Sequence, residues 1–505
     1  MSHLSKQKYR KVITDSKQRI EKRLERKHYS DQENPMMSGS NIHYEVSEKT
    51  QALSYGGIGA IHQMVQKIGL VDELNDRLNL LKYHLPYHES DHVLNIAYNV
   101  LTGGIRLEDI ELRRSDEVFL NGLGAERIPD PTTAGDFTRR FAVSDIEDLM
   151  EAINTTRQRV WRHRGRDLLD EALIDIDGTV APTFGECKAG MDISYKGIWG
   201  YHPLIISLAN TREVLYLVNR PGNVVSHQGA VEWIDKAIDV VWDHAKSICL
   251  RGDTDFSLTA HFDRWSEKVD FVFGMDAHRG LTKRAQLLEE SAWQVLERKA
   301  KYRIKTRQRS KPENIKEQVI IRREFKNIRL VGEEVAEFWY RPGKCSKDYR
   351  VVVVRKNLSV EKGESVLFDD IRYFFYITTR EDLSAAEVVE LANGRCDQEN
   401  VIAQLKNGVN AMRMPVDNLL SNWAYMVMAA LAWNLKAWLA LMMRYKNRCV
   451  QVLKMEFRTF LQTIICIPAQ IIRQGRKIIY RFLRYTSWLK DFLGAWERIR
   501  MLKFG

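Results

Sequence analysis

The sequence LIDIDGT, residues 173–179, decides the fold, because it is an apolar run that ends in acidic residues. Two more short apolar runs follow at 203–208 and 214–218, and a helix is predicted at about 229–245. A last run, ICLRGD at 248–253, again ends in an acid. Strands that are followed by a helix and another strand predict an α/β sheet.

The region after this sheet is predicted to be β-rich and then helical. Between residues 315 and 380, β-branched or aromatic runs lie at 319–321, 335–340, 349–354 and 373–377. A helix is predicted from Ser384, which forms a capping-box pattern with Glu387, to about Lys406. The segment 419–443 is apolar, but Asn422, Asn434 and Lys436 within it favour a buried helix over a membrane span.

Basic residues concentrate at the two ends of the chain and in one internal run. Residues 1–27 hold ten Lys or Arg and three acids, which predicts a basic arm that becomes helical on DNA. Residues 444–505 hold fourteen Lys or Arg and three acids, and either pack on the body or serve DNA contact or dimerisation. The run at 298–311 has no acid, and it forms either a strand with one charged face or a solvated loop.

The composition indicates a soluble protein with a polyanionic partner. Lys and Arg number 77 against 66 Asp and Glu, a net charge of +11 that suits nucleic acid. None of the six cysteines forms a Cys-x-x-Cys pair, so we expect reduced thiols in a cytoplasmic protein without structural zinc. The N-terminus lacks the apolar core of a signal peptide, and no phosphate-binding loop of the ATPase type is present.

Three acids are candidates for chemistry: Asp177 and Asp253 at strand ends, and Glu399 on the later helix. Carboxylates from two strand ends and a facing helix can hold two Mg²⁺ ions about 4 Å apart, which act on both oxygens of a phosphodiester. Arg395, Glu399 and Lys406 share one helix face, so the two cations either bind phosphate or form a salt-bridge ladder.

Taken together, these motifs resemble the DDE transposases of bacterial insertion sequences. The branch is the one with a Tyr-x-x-Arg-x-x-x-Glu-x-x-x-x-x-x-Lys signature, and within it the chain looks most like insertion-sequence family thirteen-eighty. The resemblance rests on DIDGT at 175–179, NRPGNV at 219–224, LRGD at 250–253, and the helix with Arg395, Glu399 and Lys406. It runs from about residue 90 to 480.

The resemblance implies an RNase H-like catalytic core interrupted by a mainly β insertion and flanked by helical N- and C-terminal regions. The implied parts are a basic arm (1–50), a helical DNA-binding domain (51–165), the core's first part (166–282), the β-rich insertion (283–380), the core's second part (381–443) and a basic helical C-terminal region (444–505).

It also implies a cut-and-paste enzyme that binds the terminal inverted repeats and acts as a homodimer on double-stranded DNA. Asp177, Asp253 and Glu399 would be the catalytic metal ligands, with Mg²⁺ or substitute Mn²⁺. In relatives with such an insertion, cleavage can pass through a hairpin while a Trp stacks on a flipped base. The predicted DNA contacts are Arg395, Lys406, Trp339, Arg303 and Arg307, and the alternative for Trp339 is a packed strand residue.

Three positions depart from the family pattern. Ala392 stands where the signature Tyr is expected, and Cys396 and Asp255 stand where relatives often carry Gly. Asp175 competes with Asp177 as the first acid. We prefer Asp177 because it alone fits Asp-x-Thr. The rival hypotheses are an RNase H-like nuclease without strand transfer and an inert DNA-binding descendant of a transposase.

Overall fold

The computed structural model describes residues 3–25, 37, 41–44, 50–165, 169–298 and 313–502. Arg303 and Arg307, predicted as DNA contacts, lie outside these residues. The N-terminal arm, predicted to become helical only on DNA, already contains helix α1 (His3–Leu24).

The region predicted as helical between residues 51 and 165 is helical, apart from one short strand at its start. Its elements are β1 (Ala52–Leu53), α2 (Ile58–Lys67), α3 (Leu70–Arg77), α4 (Glu89–Leu101), α5 (Ile110–Arg114), α6 (Glu117–Leu123), α7 (Pro131–Thr138) and α8 (Val143–Arg164). Asp130 caps the start of α7, because its side chain accepts a hydrogen bond from the Thr133 amide at 3.0 Å.

The α/β part begins with strands and helices close to the predicted positions. They are β2 (Leu169–Gly178), β3 (Ala181–Pro182), β4 (Asp192–Ile193), β5 (Trp199–Tyr201), β6 (Leu204–Leu208), β7 (Glu213–Val218), α9 (Ala230–Trp242), β8 (Ala245–Gly252), α10 (Phe262–Trp265), β9 (Asp270–Met275), α11 (Arg279–Gln286) and β10 (Gln294–Val295). Strands β3, β5 and β4 form a small sheet of their own.

The region 313–407 adds three long strands and the helices that follow them. These are α12 (Ile315–Arg322), β11 (Lys326–Tyr340), β12 (Tyr349–Lys362), β13 (Ser365–Thr378), α13 (Ala385–Gly394) and α14 (Cys396–Asn407). The strand expected at 319–321 is wrong: these residues lie in α12, which Asn314 caps by accepting a hydrogen bond from the Glu317 amide at 3.2 Å.

One nine-stranded sheet runs through the molecule in the order β10-β11-β12-β13-β9-β8-β2-β6-β7. Strand β2 pairs antiparallel with β6 and parallel with β8, and β8 pairs parallel with β9. The predicted β insertion therefore extends the core sheet, because residues 375–378 of β13 pair with residues 272–275 of β9. Helices cover both faces: α13 packs over Cys249 and Val272, and α9 packs against the opposite face.

The chain then forms α15 (Leu419–Leu441), which is the central helix of the molecule. It is long and apolar enough to cross a membrane, but every residue of its most apolar window is buried inside the protein, as predicted. Its polar side chains have partners: Asn434 bonds both backbone groups of Val214, and the Lys436 amine donates to the Leu453 carbonyl at 3.0 Å. Such pairing makes burial of these groups tolerable.

The C-terminal region was expected to be helical, and this expectation is wrong in part. It contains α16 (Lys446–Lys454), α17 (Phe457–Phe460), β14 (Ala469–Gln474), β15 (Lys477–Phe482) and α18 (Leu489–Met501). The two strands form a hairpin that turns at Gly475, whose φ of 59° favours glycine. Strand β14 also pairs with β1, so residues near both ends of the chain share one small sheet.

Candidate active site

The first two predicted acids lie side by side at the ends of neighbouring parallel strands. In the pairing of β2 with β8, Asp175 is opposite Arg251. Both partners stand 76 positions apart (251 − 175), and so do Asp177 and Asp253 (253 − 177). The same register therefore brings Asp177 and Asp253 to the same edge of the sheet.

Burial and mutual repulsion shape the electrostatics of this edge. Burial raises the pKa of Asp177 to about 6, with Arg395 opposing the change and the nearby charge of Asp253 adding to it. Burial also raises the pKa of Asp253, again opposed by Arg395 and reinforced by the charges of Asp255 and Asp276. The edge is thus acidic, and the charge of Arg395 acts on both acids.

A buried polar cluster sets the strands that carry these acids. The Arg251 guanidinium bonds both carboxylate oxygens of Asp175, at 2.7 and 2.9 Å, and these side chains are 4% and 1% exposed. Arg251 also donates to the Leu391 carbonyl of α13 at 3.0 Å. Asp175, the competing first acid, is therefore engaged inside the protein, whereas Asp177 lies at the acidic edge and is 16% exposed.

Glutamine 398 attaches the glutamate helix to the same strands. The Gln398 amide nitrogen donates to the carbonyls of Asp175 at 3.0 Å and Ile205 at 3.1 Å, and the residue is buried. Together with Asp175 and Arg251, it forms what we call the polar clamp. The clamp joins β2, β8 and the helices α13 and α14.

The predicted basic residues of the helix face the first-acid motif. Arg395 donates from Nη1 to Asp177 Oδ2 at 2.9 Å. The Lys406 amine donates to Thr179 Oγ1 at 2.7 Å and to the Val180 carbonyl at 2.9 Å. Both cations thus lie at the acidic edge.

The helix predicted from Ser384 to Lys406 is interrupted once. Its capping box at Ser384 is confirmed, but α13 ends at Gly394 and α14 begins at Cys396. A Cβ at Gly394 would lie 2.5 Å from Arg251 Nη1, so a larger residue at this junction would displace the guanidinium of the clamp.

Glu399 lies one turn beyond Arg395 and its side chain is exposed. Among the described residues, the oxygens of the three acids do not all lie within 4.8 Å of one another. The group whose ligand atoms do, two ring nitrogens and a carboxylate oxygen, is His84, His88 and Glu89, far from the acids in sequence. The donor types nevertheless fit a hard cation, because carboxylate oxygens are the ligands that Mg²⁺ prefers. The repulsion between Asp177 and Asp253 is also what a bound cation would relieve.

Trp339 lies in β11 opposite Arg350 and is 54% exposed. Its carbonyl accepts a hydrogen bond from Arg284 at 3.2 Å. No hydrogen bond or ring contact described in the structure joins the Trp339 side chain to the acids. Its role in base stacking therefore stays a prediction.

Sequence reasoning missed Arg251, Gln398 and a cleft of about 430 Å³ beside Asp255 and Asp276. A signal for Arg251 was present, because Asp175 and Arg251 have the same 76-residue spacing as the two acids. Gln398 had no comparable signal beyond its position next to Glu399.

Two comparisons with known proteins found a match. No curated protein matches the chain. Among solved structures, the piggyBac transposase synaptic complex with hairpin DNA is similar at 11% identity and a TM-score of 0.34, over 83% of this chain and 87% of that one. A family model described as transposase DDE domain group 1 matches residues 36–504. The chain therefore belongs to the DDE transposases of group 1.

Proposed function

We propose that the protein is the transposase of a bacterial insertion sequence of the Tyr-Arg-Glu-Lys type, similar to family thirteen-eighty. It would bind the terminal inverted repeats, cleave DNA at the element boundary and join the freed end to target DNA. The observation that carries the proposal is the shared register of Asp177 and Asp253, with Arg395 of the glutamate helix bonded to Asp177.

An RNase H-like core is the fold assignment that we propose. The strands β7-β6-β2-β8-β9 support it, because the first three are antiparallel and the last three are parallel to one another. Asp177 lies near the end of β2, the middle strand of this set, and Asp253 directly follows the neighbouring β8. Strands β10 to β13 would then be the insertion, attached at the edge of β9.

Asp177, Asp253 and Glu399 would hold the metal, which we expect to be two Mg²⁺ ions with Mn²⁺ as a substitute. When bound, such ions activate water or a 3′-hydroxyl and stabilise the leaving oxygen. Arg395 and Lys406 would hold phosphates of the DNA strand at the acidic edge, since both already point there. Asp177 must lose its proton to act, and burial makes that proton harder to lose.

We extend the proposal to the partners. A homodimer would hold two element ends, with Arg303, Arg307 and the basic terminal segments as further phosphate contacts. Trp339 would stack on a base if cleavage passes through a hairpin. Cytoplasmic activity on chromosomal DNA follows from this role.

The test is cleavage and joining of a linear DNA that carries the end of the element, in Mg²⁺. We expect wild type to cut at the boundary and to join the end to a second DNA, and Asp253→Ala to do neither. Asp369→Ala, at an exposed position on the outer part of the sheet, is the matched control and should retain both activities.

Three outcomes separate the alternatives. Cleavage without joining by wild type would favour a nuclease. Binding without cleavage would favour an inert descendant, and Ala392→Tyr would then show whether the departure from the signature is responsible. Full activity in Asp253→Ala would contradict the assignment of the second acid.

A further inference from the structure

A hairpin next to the first acid carries exposed aromatic residues that the proposed chemistry leaves unexplained. The hairpin comprises residues 192–201, namely β4, a turn and β5. Ile193 and Trp199 are cross-strand partners, 46% and 54% exposed, so they lie side by side on one face. Tyr195 in the turn is 77% exposed. We call residues 192–201 the aromatic hairpin.

The aromatic hairpin approaches the acidic edge through a short series of contacts. The Tyr195 ring lies 6.4 Å from the ring of His202. His202 Nε2 would in turn lie 3.1 Å from a Cβ placed on Gly178, the residue that follows Asp177. One side chain, His202, therefore separates Tyr195 from the backbone of the first acid.

Positive charge accompanies the aromatic rings on this side. The Lys196 amine lies 5.2 Å from the centre of the Tyr195 ring. Lys406 bonds Thr179 and Val180 where the chain leaves β2 and enters the small sheet. The charge of Lys196 also helps to lower the pKa of Lys406, after burial as the main cause, so the two amines influence the same space.

The hairpin packs closely against the Arg-Pro-Gly-Asn turn at 220–223. A Cβ at Gly222 would lie 2.3 Å from the Asp192 carbonyl, so only glycine allows this packing. Tyr201 forms a bridge with Pro221, and Arg220 donates to the carbonyls of Ser226 and Gln228 at 2.9 and 2.7 Å. Because the hairpin packs closely on this turn, its side chains can bind an aromatic ligand with little ordering cost.

We propose that the aromatic hairpin stacks an unpaired nucleotide of the DNA strand, next to the phosphates that Arg395 and Lys406 would hold at the acidic edge. Bases offer apolar faces to exposed aromatic rings, and the adjacent lysines suit the phosphates on either side. The lysines do not suit a purely apolar partner, and the exposed aromatic rings do not suit a partner surface lined only by acidic residues. The inference rests on the proposed function, because it assumes that a DNA strand crosses the acidic edge.

The test compares the binding of two DNAs to the full chain without Mg²⁺. One is a blunt duplex, and the other is the same duplex with a short single-stranded overhang that contains the fluorescent base aminopurine. We expect wild type to bind the overhang DNA about tenfold more tightly and to quench the aminopurine, since stacking of one base on an aromatic ring has an effect of this order. The variant Tyr195→Ala/Trp199→Ala should bind both DNAs with equal affinity and without quenching.

Two control variants accompany the test. Phe368→Ala/Phe374→Ala removes aromatic rings that are 54% and 42% exposed on the outer sheet, and it should keep the tenfold preference. Tyr195→Phe/Trp199→Phe keeps rings at the hairpin and should also keep it. A preference that survives in Tyr195→Ala/Trp199→Ala, or that is lost in the outer-sheet control, would overturn the proposal.

Other outcomes distinguish failure of the hairpin from failure of the proposed function. Equal binding of both DNAs by wild type, together with Asp253-dependent cleavage, overturns the stacking proposal alone. Wild type that binds neither DNA overturns both. A hairpin variant that changes only the oligomeric state in gel filtration, with an unchanged preference, would assign the hairpin to a contact between copies of the chain and overturn stacking.

Discussion

The acidic edge of the nine-stranded sheet and the distal ends of its long strands β11 to β13 differ in how far their ion pairs are buried. At the acidic edge of β2 and β8, Arg251 and Asp175 form an ion pair that is almost wholly buried. On the outer part of β11 to β13, Arg329 pairs with Glu317 and Glu361 at 3.2 Å, but its side chain is 57% exposed. Large apolar side chains are also exposed there: Ile328, Leu330, Val331, Val366, Leu367, Phe368, Ile371 and Phe374.

The difference indicates which part of the sheet fixes the position of its charged residues. A buried ion pair pays a large desolvation cost, so its presence is better explained by positioning than by net stability. The polar clamp holds two strand ends and a helix in one arrangement, and all three carry the proposed ligands. The ion pairs of Arg329, at the distal ends of β11 and β12, are exposed, and exposed ion pairs contribute little and are screened by salt.

The largest expected effect comes from breaking the clamp. Arg251→Met leaves the Asp175 carboxylate buried without its partner, and we expect a loss of about 3–5 kcal/mol in the free energy of unfolding. Arg329→Met, the matched change on the outer part of β11 to β13, should cost less than about 1 kcal/mol. Urea unfolding followed by tryptophan fluorescence measures both.

A second variant tests the cause of that loss. Asp175→Asn combined with Arg251→Met removes the unpaired charge, so the double variant should be more stable than Arg251→Met alone. Equal costs for Arg251→Met and Arg329→Met would show that the two parts of the sheet do not differ in this way.

The second effect concerns pH. Burial raises the pKa of Asp177 from an ordinary value of 3.8 to about 6, so the folded protein binds this proton more tightly than the unfolded chain does. The resulting stabilisation is fully present below about pH 4 and is lost as pH rises through 6. Asp177→Asn cannot lose that proton, so between pH 4 and 7 it should gain about 2–3 kcal/mol relative to wild type.

Thermal unfolding midpoints of wild type and Asp177→Asn, measured across that pH range, give the comparison. Midpoints of the two proteins that change in parallel from pH 4 to 7 would mean that burial at the acidic edge does not raise the pKa of Asp177.

Local patterns made the core strands and the two strand-end acids predictable. Apolar runs that end in Asp177 and Asp253 carry their own boundaries, and the Asp130 and Ser384 caps mark helix starts by side-chain chemistry alone. The error at 319–321 arose because a β-branched run outweighed an equally local signal, the cap at Asn314. The hairpin at β14 and β15 was missed although Gly475 marked its turn.

The clamp could not be predicted from local patterns because its contacts are distant in sequence. Gln398 reaches carbonyls 223 and 193 residues away, and Arg395 reaches Asp177 across 218 residues. Only the folded sheet determines which of the acidic residues is buried and paired, as Asp175 is, and which lies at the acidic edge, as Asp177 does.

The smallest effect on stability, and the most specific one on activity, is expected from Gln398→Leu. Loss of two buried hydrogen bonds should lower the free energy of unfolding by about 1–2 kcal/mol. Gln318→Leu on α12, which removes an exposed hydrogen bond to Glu313, should change the free energy of unfolding by less than about 0.5 kcal/mol.

Because Gln398 holds the helix that carries Arg395 and Glu399, its loss should shift that helix at the acidic edge. We expect the single-turnover cleavage rate to fall about ten- to a hundredfold, while the Kd for DNA changes less than about threefold, since the phosphate contacts proposed at Arg303, Arg307 and the basic terminal segments lie away from this helix in sequence. Equal losses in rate and affinity would make Gln398 a general support of the fold. A loss confined to the rate would show that the polar clamp positions the acids. The outer part of β11 to β13 has no such role.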